Sequence, residues 1–362
     1  MKKNKTLKVA FIHGRPKGHP THAKYAQSVG SVFFHEDRLI RWQDIPSSKL
    51  RRYLSWITNA FFFSKLRSWD IFLTEGVRVP QLIQKKLRLT SKRQKLIAMM
   101  SDESLYFTAS GKFPKLTKLL MTEFWKACDA IICVGKFQTE LAKSLLPENQ
   151  HSKVYTFSNG VPKLEIERLN KTKAKLDSKT IVFVGNAGSI WRTEYKGLDL
   201  MIEVIIECME QEDLEFKIAG QIPKSIQDYL LKDLPPQKAS KISFLGKVDD
   251  LAPVFQEGSL YLHTARGEAW GISIHEALAA GLPAIVSDQT GAKEMVSLVQ
   301  DDFVVPLEKE AIKNRIFSYM NASLSHKKII SAKAKEVAQL YTEEEAIENF
   351  KNNFHQAIEV LN

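Results

Sequence analysis

Two glutamates eight positions apart are the residues of this chain best suited to chemistry. Glu268 and Glu276 lie within residues 267–291, where a short apolar run that predicts a buried strand is followed by a loop containing glycines. Ser273 is predicted to cap a helix that runs to about Ala280. The order strand, loop, helix, strand places the loop at the carboxyl edge of a parallel sheet, where open α/β sheets bind ligands.

The types of these residues suggest how a ligand is held. Gly267 and Gly271 allow the backbone to approach a ligand closely, and a helix start offers free N–H groups to a phosphate. Glu276 is placed to accept hydrogen bonds from vicinal hydroxyls such as those of a ribose, and Glu268 faces the group beyond the phosphates. The alternative is that Glu268 is a solvated loop acid and Glu276 complements the helix dipole.

The same stretch resembles the E-x7-E signature of retaining glycosyltransferases with the GT-B fold, specifically the large GT4-type family. The resemblance implies two Rossmann-like α/β/α domains that face each other across a cleft, an α/β fold class. The matching residues are Glu268, Gly271, Glu276, Ala277, Ala279, Gly281, Pro283, Gly291 and Glu294.

The resemblance also implies a site for a nucleotide-diphosphate sugar, with UDP- or GDP-sugars as the expected co-substrates and no cofactor. In the family an Arg and a Lys bind the diphosphate; Lys196 matches, whereas position 186 is Asn186 and Arg192 in the same loop is the expected substitute. A neutral amide cannot supply a bidentate cation, so a catalytically weak scaffold or sugar-nucleotide-binding protein is the alternative. The donor-binding candidates are Gly185, Arg192, Lys196, Gly246, Lys247, Glu268, Trp270, Gly271, Ile272, Ser273 and Glu276.

The implied mechanism is electrostatic. Lys196 neutralises the leaving diphosphate, Glu268 holds donor-sugar hydroxyls, and the leaving phosphate takes the proton of the acceptor, so that no dedicated base is required. We expect no metal, because the sequence contains no Asp-x-Asp pair of the kind that metal-dependent glycosyltransferases use.

The first domain is expected to bind the acceptor. His13 ends the first predicted strand and is followed by Gly14 and Arg15, and Asp102 follows another strand, which makes His13 and Asp102 additional catalytic candidates. A structural histidine and a helix-capping aspartate are the alternatives.

Charge is distributed unevenly along the chain. Residues 1–160 carry 28 Lys and Arg against 11 Asp and Glu, a net charge of +17, within a chain of 362 residues whose net charge is +11. Such asymmetry indicates an anionic partner for the first half. Nucleic acid is not expected, because nothing resembles a helix-turn-helix, a zinc finger or an RNP pattern.

Residues 49–69 combine an apolar, aromatic middle with cations at both ends. A helix of this composition is suited to a membrane interface, with its cations on anionic headgroups. The alternative is a crossover helix whose apolar face packs on the sheet. The residues assigned to the acceptor or the membrane are Gly14, Arg15, Arg51, Arg52, Trp56, Lys65 and Arg67.

The predicted domains are residues 1–160 for the acceptor, a linker at 161–178, residues 179–340 for the nucleotide sugar, and a helix at 341–362 that crosses back to the first domain. Three cysteines without metal spacing indicate buried thiols in a reducing compartment, and no apolar run is long enough to span a bilayer. We therefore expect a cytoplasmic protein, peripheral on the inner face of the membrane, that transfers sugar to a glycan or lipid-linked acceptor of the cell envelope.

Overall fold

The computed structural model describes residues 7–13, 20–35, 49–64, 68–89 and 94–361. The chain forms two compact units: the first contains Met1–Ser158 together with Ala346–Asn362, and the second contains Asn159–Glu345. Each unit contains one six-stranded sheet in which every paired strand is parallel. The predicted α/β class is therefore confirmed.

The sheet of the first unit has the strand order β2-β1-β3-β4-β5-β6. The order reverses between β1 and β3, which lie side by side in the middle of the sheet. Central strands that are buried on both faces are short apolar runs, and those of this unit follow that pattern. The strands are β1 Val9–His13, β2 Val32–His35, β3 Ile71–Glu75, β4 Lys95–Met100, β5 Ala130–Val134 and β6 Val154–Phe157.

Six helices and one 3₁₀ segment lie between or beside these strands. Phe72 on β3 packs in a core with Phe124 and Trp125, all three of them almost fully buried. The helices are α1 Pro20–Ser28, α2 Lys49–Ser64, α3 Val79–Lys86, α4 Ser104–Ala109, α5 Lys115–Ala127 and α6 Gly135–Ser144, and the 3₁₀ segment is Glu148–Lys153.

The helix α2 answers part of the question about residues 49–69. Ala60 and Phe63 are buried, and the Ala60 carbonyl accepts a hydrogen bond of 3.0 Å from Gln84 Nε2 on α3, so one face packs against the protein. Leu54, Ile57 and Phe61 are exposed at helical spacing, so a second apolar face remains at the surface. The predicted membrane cations Arg51, Arg52, Lys65 and Arg67 have side chains outside the described part, as do Gly14 and Arg15.

The second unit has the strand order β12-β11-β10-β7-β8-β9. The order reverses between β7 and β10, which pair in the middle of the sheet. The strands are β7 Thr180–Val184, β8 Glu215–Ala219, β9 Ile242–Gly246, β10 Leu260–His263, β11 Ala284–Ser287 and β12 Val304–Val305.

The helices of the second unit begin inside the predicted linker. Residues 163–170 form a helix whose Ile166 and Leu169 are buried in the core of this unit. The helices are α7 Lys163–Asn170, α8 Ile190–Tyr195, α9 Leu198–Cys208, α10 Lys224–Leu231, α11 Pro236–Ala239, α12 Ala252–Glu257, α13 Ile272–Ala279, α14 Lys293–Val299, α15 Lys309–Met320 and α16 Leu324–Ala338, with a 3₁₀ segment at Asp301–Phe303.

The last helix, α17 Glu343–Leu361, joins the first unit from Ala346 onward. Phe350 is buried with its ring 5.6 Å from that of Tyr25 and 5.4 Å from that of Phe157. Asn353 Nδ2 donates a 2.7 Å hydrogen bond to the carbonyl of Thr156. The three cysteines are buried free thiols, and in the described ranges no helix is long and apolar enough to cross a bilayer.

Candidate functional site

The candidate site of the second unit lies where its strand order reverses. β7 and β10 end there side by side, and the crevice beyond the carboxyl ends of such a pair is the usual ligand site of an open α/β sheet. The loop after β10 carries Glu268 before α13 begins at Ile272, and the turn between α8 and α9 carries Lys196. The fold thus brings together residues that are 72 positions apart.

Lys196 and Glu268 form an ion pair in which both side chains are 14% exposed. The Nε2 atom of His263, at the end of β10, lies 3.6 Å from the same Glu268 oxygen. Burial raises the pKa of the Glu268 carboxyl, but the charge of Lys196 and the neighbouring His263 lower it by more, so the pKa lies below its ordinary value. The carboxylate is therefore ionised at neutral pH and holds the ammonium in place.

Tyr195 connects the two cations of the α8 turn to the glutamate loop. Its ring centroid lies 5.6 Å from Lys196 Nζ and 6.0 Å from Arg192 Cζ, within the range of cation–π attraction. Its hydroxyl donates a 3.2 Å hydrogen bond to the carbonyl of Gly267, next to Glu268. Arg192, the expected substitute for the missing family arginine, is thus held on the same aromatic ring as Lys196.

Glycine is required at position 197 for this placement. Gly197 has a φ of +69°, and a Cβ there would lie 1.9 Å from the carbonyl oxygen of Thr264, just beyond β10. The Thr264 hydroxyl donates a 3.1 Å hydrogen bond back to the Gly197 carbonyl. Only a glycine allows the residue after Lys196 to pack directly on the strand end that leads to Glu268.

Ser273 does not cap the helix as predicted. The helix begins at Ile272 after Gly271, which has a φ of +100° and makes no side-chain capping bond. The Ser273 hydroxyl instead donates to the carbonyl of Val184 at 3.1 Å and accepts from the hydroxyl of Tyr261 at 2.8 Å. The prediction was wrong because the buried Tyr261 hydroxyl needs a partner, and the serine supplies it.

Glu276 lies in the first turns of α13, and no described residue donates a hydrogen bond to its carboxylate. Burial raises the pKa of this carboxyl to about 7, with Glu165 raising it and Arg168 lowering it. Arg168 is already bound to Glu165 and to Asp250 at 2.6–2.8 Å. Glu276 is thus a carboxylate available for a ligand, as its proposed contact with a ribose requires.

Asn186 has a local structural contact in place of a phosphate-binding cation. Its Oδ1 atom accepts a 2.7 Å hydrogen bond from the backbone N–H of Gln221, which ties the loop after β7 to the loop after β8. Gly185 continues the sheet by donating to the Ala219 carbonyl at 2.9 Å. The position that is Arg in the family therefore carries a loop-bridging amide here.

The remaining donor-site candidates lie apart from the ion pair. Lys247, next to Gly246, is an exposed cation that pairs with Asp249 at 2.8 Å. Trp270 is 2% exposed, and its ring lies 5.8 Å from that of Tyr341, so its side chain is part of the packing. Ile272 packs at the edge of the core of this unit. No described contact joins the side chains of these residues to Lys196 or Glu268.

In the first unit, His13 lies in a cluster that was not predicted. His13 Nε2 and His22 Nδ1 form ion-pair contacts with the two carboxylate oxygens of Glu75, one on each. Glu75 and His22 belong to no motif, and the available signal was only that β1 and β3 both end in a titratable side chain.

Asp102 makes a local contact instead. Its Oδ1 atom accepts hydrogen bonds from the N–H and the hydroxyl of Ser104 at 3.0 and 2.5 Å, at the start of α4. This is the kind of contact that the alternative interpretation, helix capping, describes. Across the described ranges, no group of three or more His, Cys, Asp or Glu side chains is arranged to hold a metal ion.

Comparison with known proteins agrees with the E-x7-E resemblance. Residues 178–322 match the family described as glycosyl transferases group 1. The chain is 30% identical over 258 residues to the phosphatidylinositol N-acetylglucosaminyltransferase gpi3 subunit of Schizosaccharomyces pombe, which covers 67% of this chain and 52% of that protein. It is 27% identical over 287 residues to a human protein of the same name, a phosphatidylinositol N-acetylglucosaminyltransferase subunit from Homo sapiens, which covers 76% and 51%. The chain thus spans about half the length of these curated relatives.

The fold is shared along almost the whole chain. HepE from Anabaena, solved in complex with UDP and glucose, matches with a TM-score of 0.65 at 14% identity, and the match covers 97% of this chain and 100% of that one. At this identity the likeness concerns the fold. The chain therefore has the GT-B fold and belongs, through residues 178–322, to the group 1 glycosyltransferases.

Proposed function

We propose that this protein is a retaining glycosyltransferase that moves a sugar from a UDP-sugar to a lipid-linked acceptor at the cytoplasmic face of a membrane. The observation that carries the proposal is the Lys196–Glu268 pair at the point where the strand order of the second unit reverses. The complex of HepE with UDP and glucose supports the choice of nucleotide.

Each residue of the pair has a separate task. Lys196, with Arg192 on the same ring of Tyr195, neutralises the diphosphate as its negative charge grows in the transition state. Glu268 accepts hydrogen bonds from hydroxyls of the donor sugar. In the free protein Glu268 is the counter-ion of Lys196, so the ammonium is positioned before the diphosphate arrives.

Glu276 completes donor binding. Its carboxylate has no hydrogen-bond donor among the described residues, so ribose hydroxyls supply the missing donors. The leaving phosphate takes the proton of the acceptor hydroxyl while the sugar–phosphate bond breaks and the new glycosidic bond forms on the same face. This scheme requires no separate general base.

The acceptor side of the proposal rests on the first unit. The relatives in fission yeast and human are named as transferases of N-acetylglucosamine to phosphatidylinositol, so a lipid with a hydroxyl-rich headgroup is the acceptor class we propose. The exposed Leu54, Ile57 and Phe61 on α2 form an apolar strip, and residues 1–160 carry a net charge of +17. Such a strip inserts into the interface of an anionic membrane.

The first test is a thermal-shift screen with UDP-glucose, UDP-N-acetylglucosamine and GDP-mannose. A ligand that binds only the folded protein raises its stability, by about 2.7 kcal/mol at a hundredfold excess over Kd. We expect a shift with a UDP-sugar that Lys196→Ala abolishes. The matched control is Lys224→Ala, an exposed lysine of the same unit that pairs with Asp228, and it should keep the shift.

Transfer to phosphatidylinositol in detergent micelles is then measured with the donor that gave the shift. A UDP-sugar that binds but is not transferred would favour the alternative function, a catalytically weak sugar-nucleotide-binding protein. The observation behind this alternative is Asn186, whose amide oxygen already bonds Gln221 where the family has a cation. A result with no shift for any nucleotide sugar would contradict both functions.

A further inference from the structure

We propose that His22 is the residue that binds and orients the reacting hydroxyl of the acceptor, with Glu75 and His13 as the residues that hold its imidazole in place. The proposal rests on the proposed function, since it assigns the acceptor-binding residues of that reaction. It concerns side chains of the first unit that lie in no recognised motif.

The position of this cluster is the first reason. The strand order of the first unit reverses between β1 and β3, and His13 and Glu75 are the last residues of these two strands. His22 lies in α1, the helix that follows β1. The crevice at such a reversal is where open α/β sheets bind ligands, so the cluster occupies the expected binding position of its unit.

The contacts within the cluster are the second reason. Glu75 is a buried carboxylate with one oxygen on His13 Nε2 and the other on His22 Nδ1. Ser101, which follows the adjacent strand β4, lies with its hydroxyl 3.4 Å from the same nitrogen of His22. Because both imidazoles touch the carboxylate directly, the three side chains leave no room for a cation between them.

The protonation state follows from these contacts. Burial raises the pKa of the Glu75 carboxyl, but His22, His13 and the charge of Arg78 lower it by more, so it lies below its ordinary value and the group is ionised. An ionised carboxylate at Nδ1 keeps the proton of a neutral His22 on that nitrogen. The Nε2 atom is then a hydrogen-bond acceptor.

Accessibility distinguishes the two histidines. The His22 side chain is 12% exposed, whereas the His13 side chain is 4% exposed. His22 is thus the imidazole that a ligand can reach, and His13 supports the carboxylate from the inner side. A neutral Nε2 acceptor suits a hydroxyl donor, so the chemistry of the cluster fits a polyol such as an inositol or sugar headgroup.

The test separates the two nitrogens of His22. In His22→Asn the side-chain amide can replace Nδ1 beside Glu75 but has nothing at the position of Nε2, whereas in His22→Gln the amide reaches the Nε2 position. With phosphatidylinositol micelles and the UDP-sugar identified above, we expect His22→Asn to raise the KM for the acceptor at least tenfold. The KM for the donor should stay within twofold, and His22→Gln should recover most of the acceptor affinity.

Two further variants complete the experiment. His151→Asn makes the same chemical change in the first unit away from the cluster, where the imidazole Nε2 contacts the carbonyl of Leu146 at 3.2 Å, and it should leave both KM values unchanged. Glu75→Gln should raise the acceptor KM as well, provided that its circular dichroism shows a folded protein. Because Glu75 is buried, the decisive variant is His22→Asn.

The outcomes separate this inference from the function it rests on. An acceptor KM unchanged in His22→Asn, or acceptor and donor KM values raised equally, overturns the inference while transfer by the unaltered protein still supports the proposed function. An unaltered protein that neither binds a UDP-sugar nor transfers it overturns both.

Discussion

The two units of this protein build the same sheet reversal and place different chemistry on it. In the second unit the strand ends carry a lysine–glutamate pair with a histidine, Lys196, Glu268 and His263. In the first unit they carry one carboxylate between two imidazoles. A fixed cation suits an anionic diphosphate, and a carboxylate-held imidazole suits a neutral hydroxyl. The scaffold thus fixes where a ligand binds, and a few residues after the strands decide which kind.

The largest expected effect comes from removing the carboxylate of the second unit. Glu268→Gln leaves Lys196 without its counter-ion and the donor sugar without an acceptor of hydrogen bonds, so we expect turnover to fall by about 10²–10³, as for other preorganised polar groups of active sites. Glu257→Gln is the control, because Glu257 is an exposed glutamate of the same unit that pairs with Lys217. Equal turnover of the two variants would remove Glu268 from the mechanism.

The next effect tests whether the membrane contact belongs to the first unit alone. The double change Ile57→Ser with Phe61→Ser removes two exposed apolar side chains of α2, and we expect binding to phosphatidylserine-containing vesicles to fall by about tenfold. The control is Leu164→Ser with Ile329→Ser, which removes two apolar residues of higher exposure from the second unit. Equal losses in the two double variants would argue against a specific membrane face.

A smaller effect should appear in the pH dependence of donor binding. The pKa of Glu276 is about 7, so its ionised fraction rises about ninefold between pH 6 and pH 8. We expect the affinity for UDP-glucose, whose diphosphate does not titrate in this range, to rise by a similar factor. Glu276→Gln should bind with a flat pH profile, and a profile that keeps its slope in this variant would assign the titration to another group.

The same group predicts a change in stability of known sign. Since burial raises the pKa of Glu276 from 4.5 to about 7 on folding, its contribution is fully present below pH 4.5 and is lost as the pH rises through 7. Glu276→Gln should therefore be more stable than the unaltered protein at pH 8, by up to about 3 kcal/mol at 1.36 kcal/mol per pKa unit, and close to it at pH 4. Urea unfolding at the two pH values measures the difference.

The smallest expected effect is a gain. Asn186→Arg restores a cation near the diphosphate but breaks the bond of the amide with Gln221, so we expect donor affinity to rise by no more than about threefold. Asn186→Ala removes the same bond without adding charge and serves as the control. A loss of affinity in both variants would mean that the loop bridge matters more than the missing cation.

Sequence reasoning was strongest where the chemistry is contiguous. The strand, loop and helix around Glu268 follow from apolar runs and glycines, and Lys196 follows from a motif. Contacts between distant residues could not be predicted this way. Glu75 and His22 are 53 positions apart, and only the adjacency of β1 and β3 brings them together. Ser273 was assigned to a helix cap because a local pattern does not show that Tyr261 needs its hydroxyl.

The return of the last helix to the first unit bears on the order in which the protein folds during synthesis. Residues 159–345 are contiguous, so the second unit can finish folding as soon as they have left the ribosome. The first unit must wait for Ala346 and the residues after it, because Phe350 closes its core against Tyr25 and Phe157. A nonsense mutation just after codon 345 would thus spare the later unit and leave the earlier one incomplete.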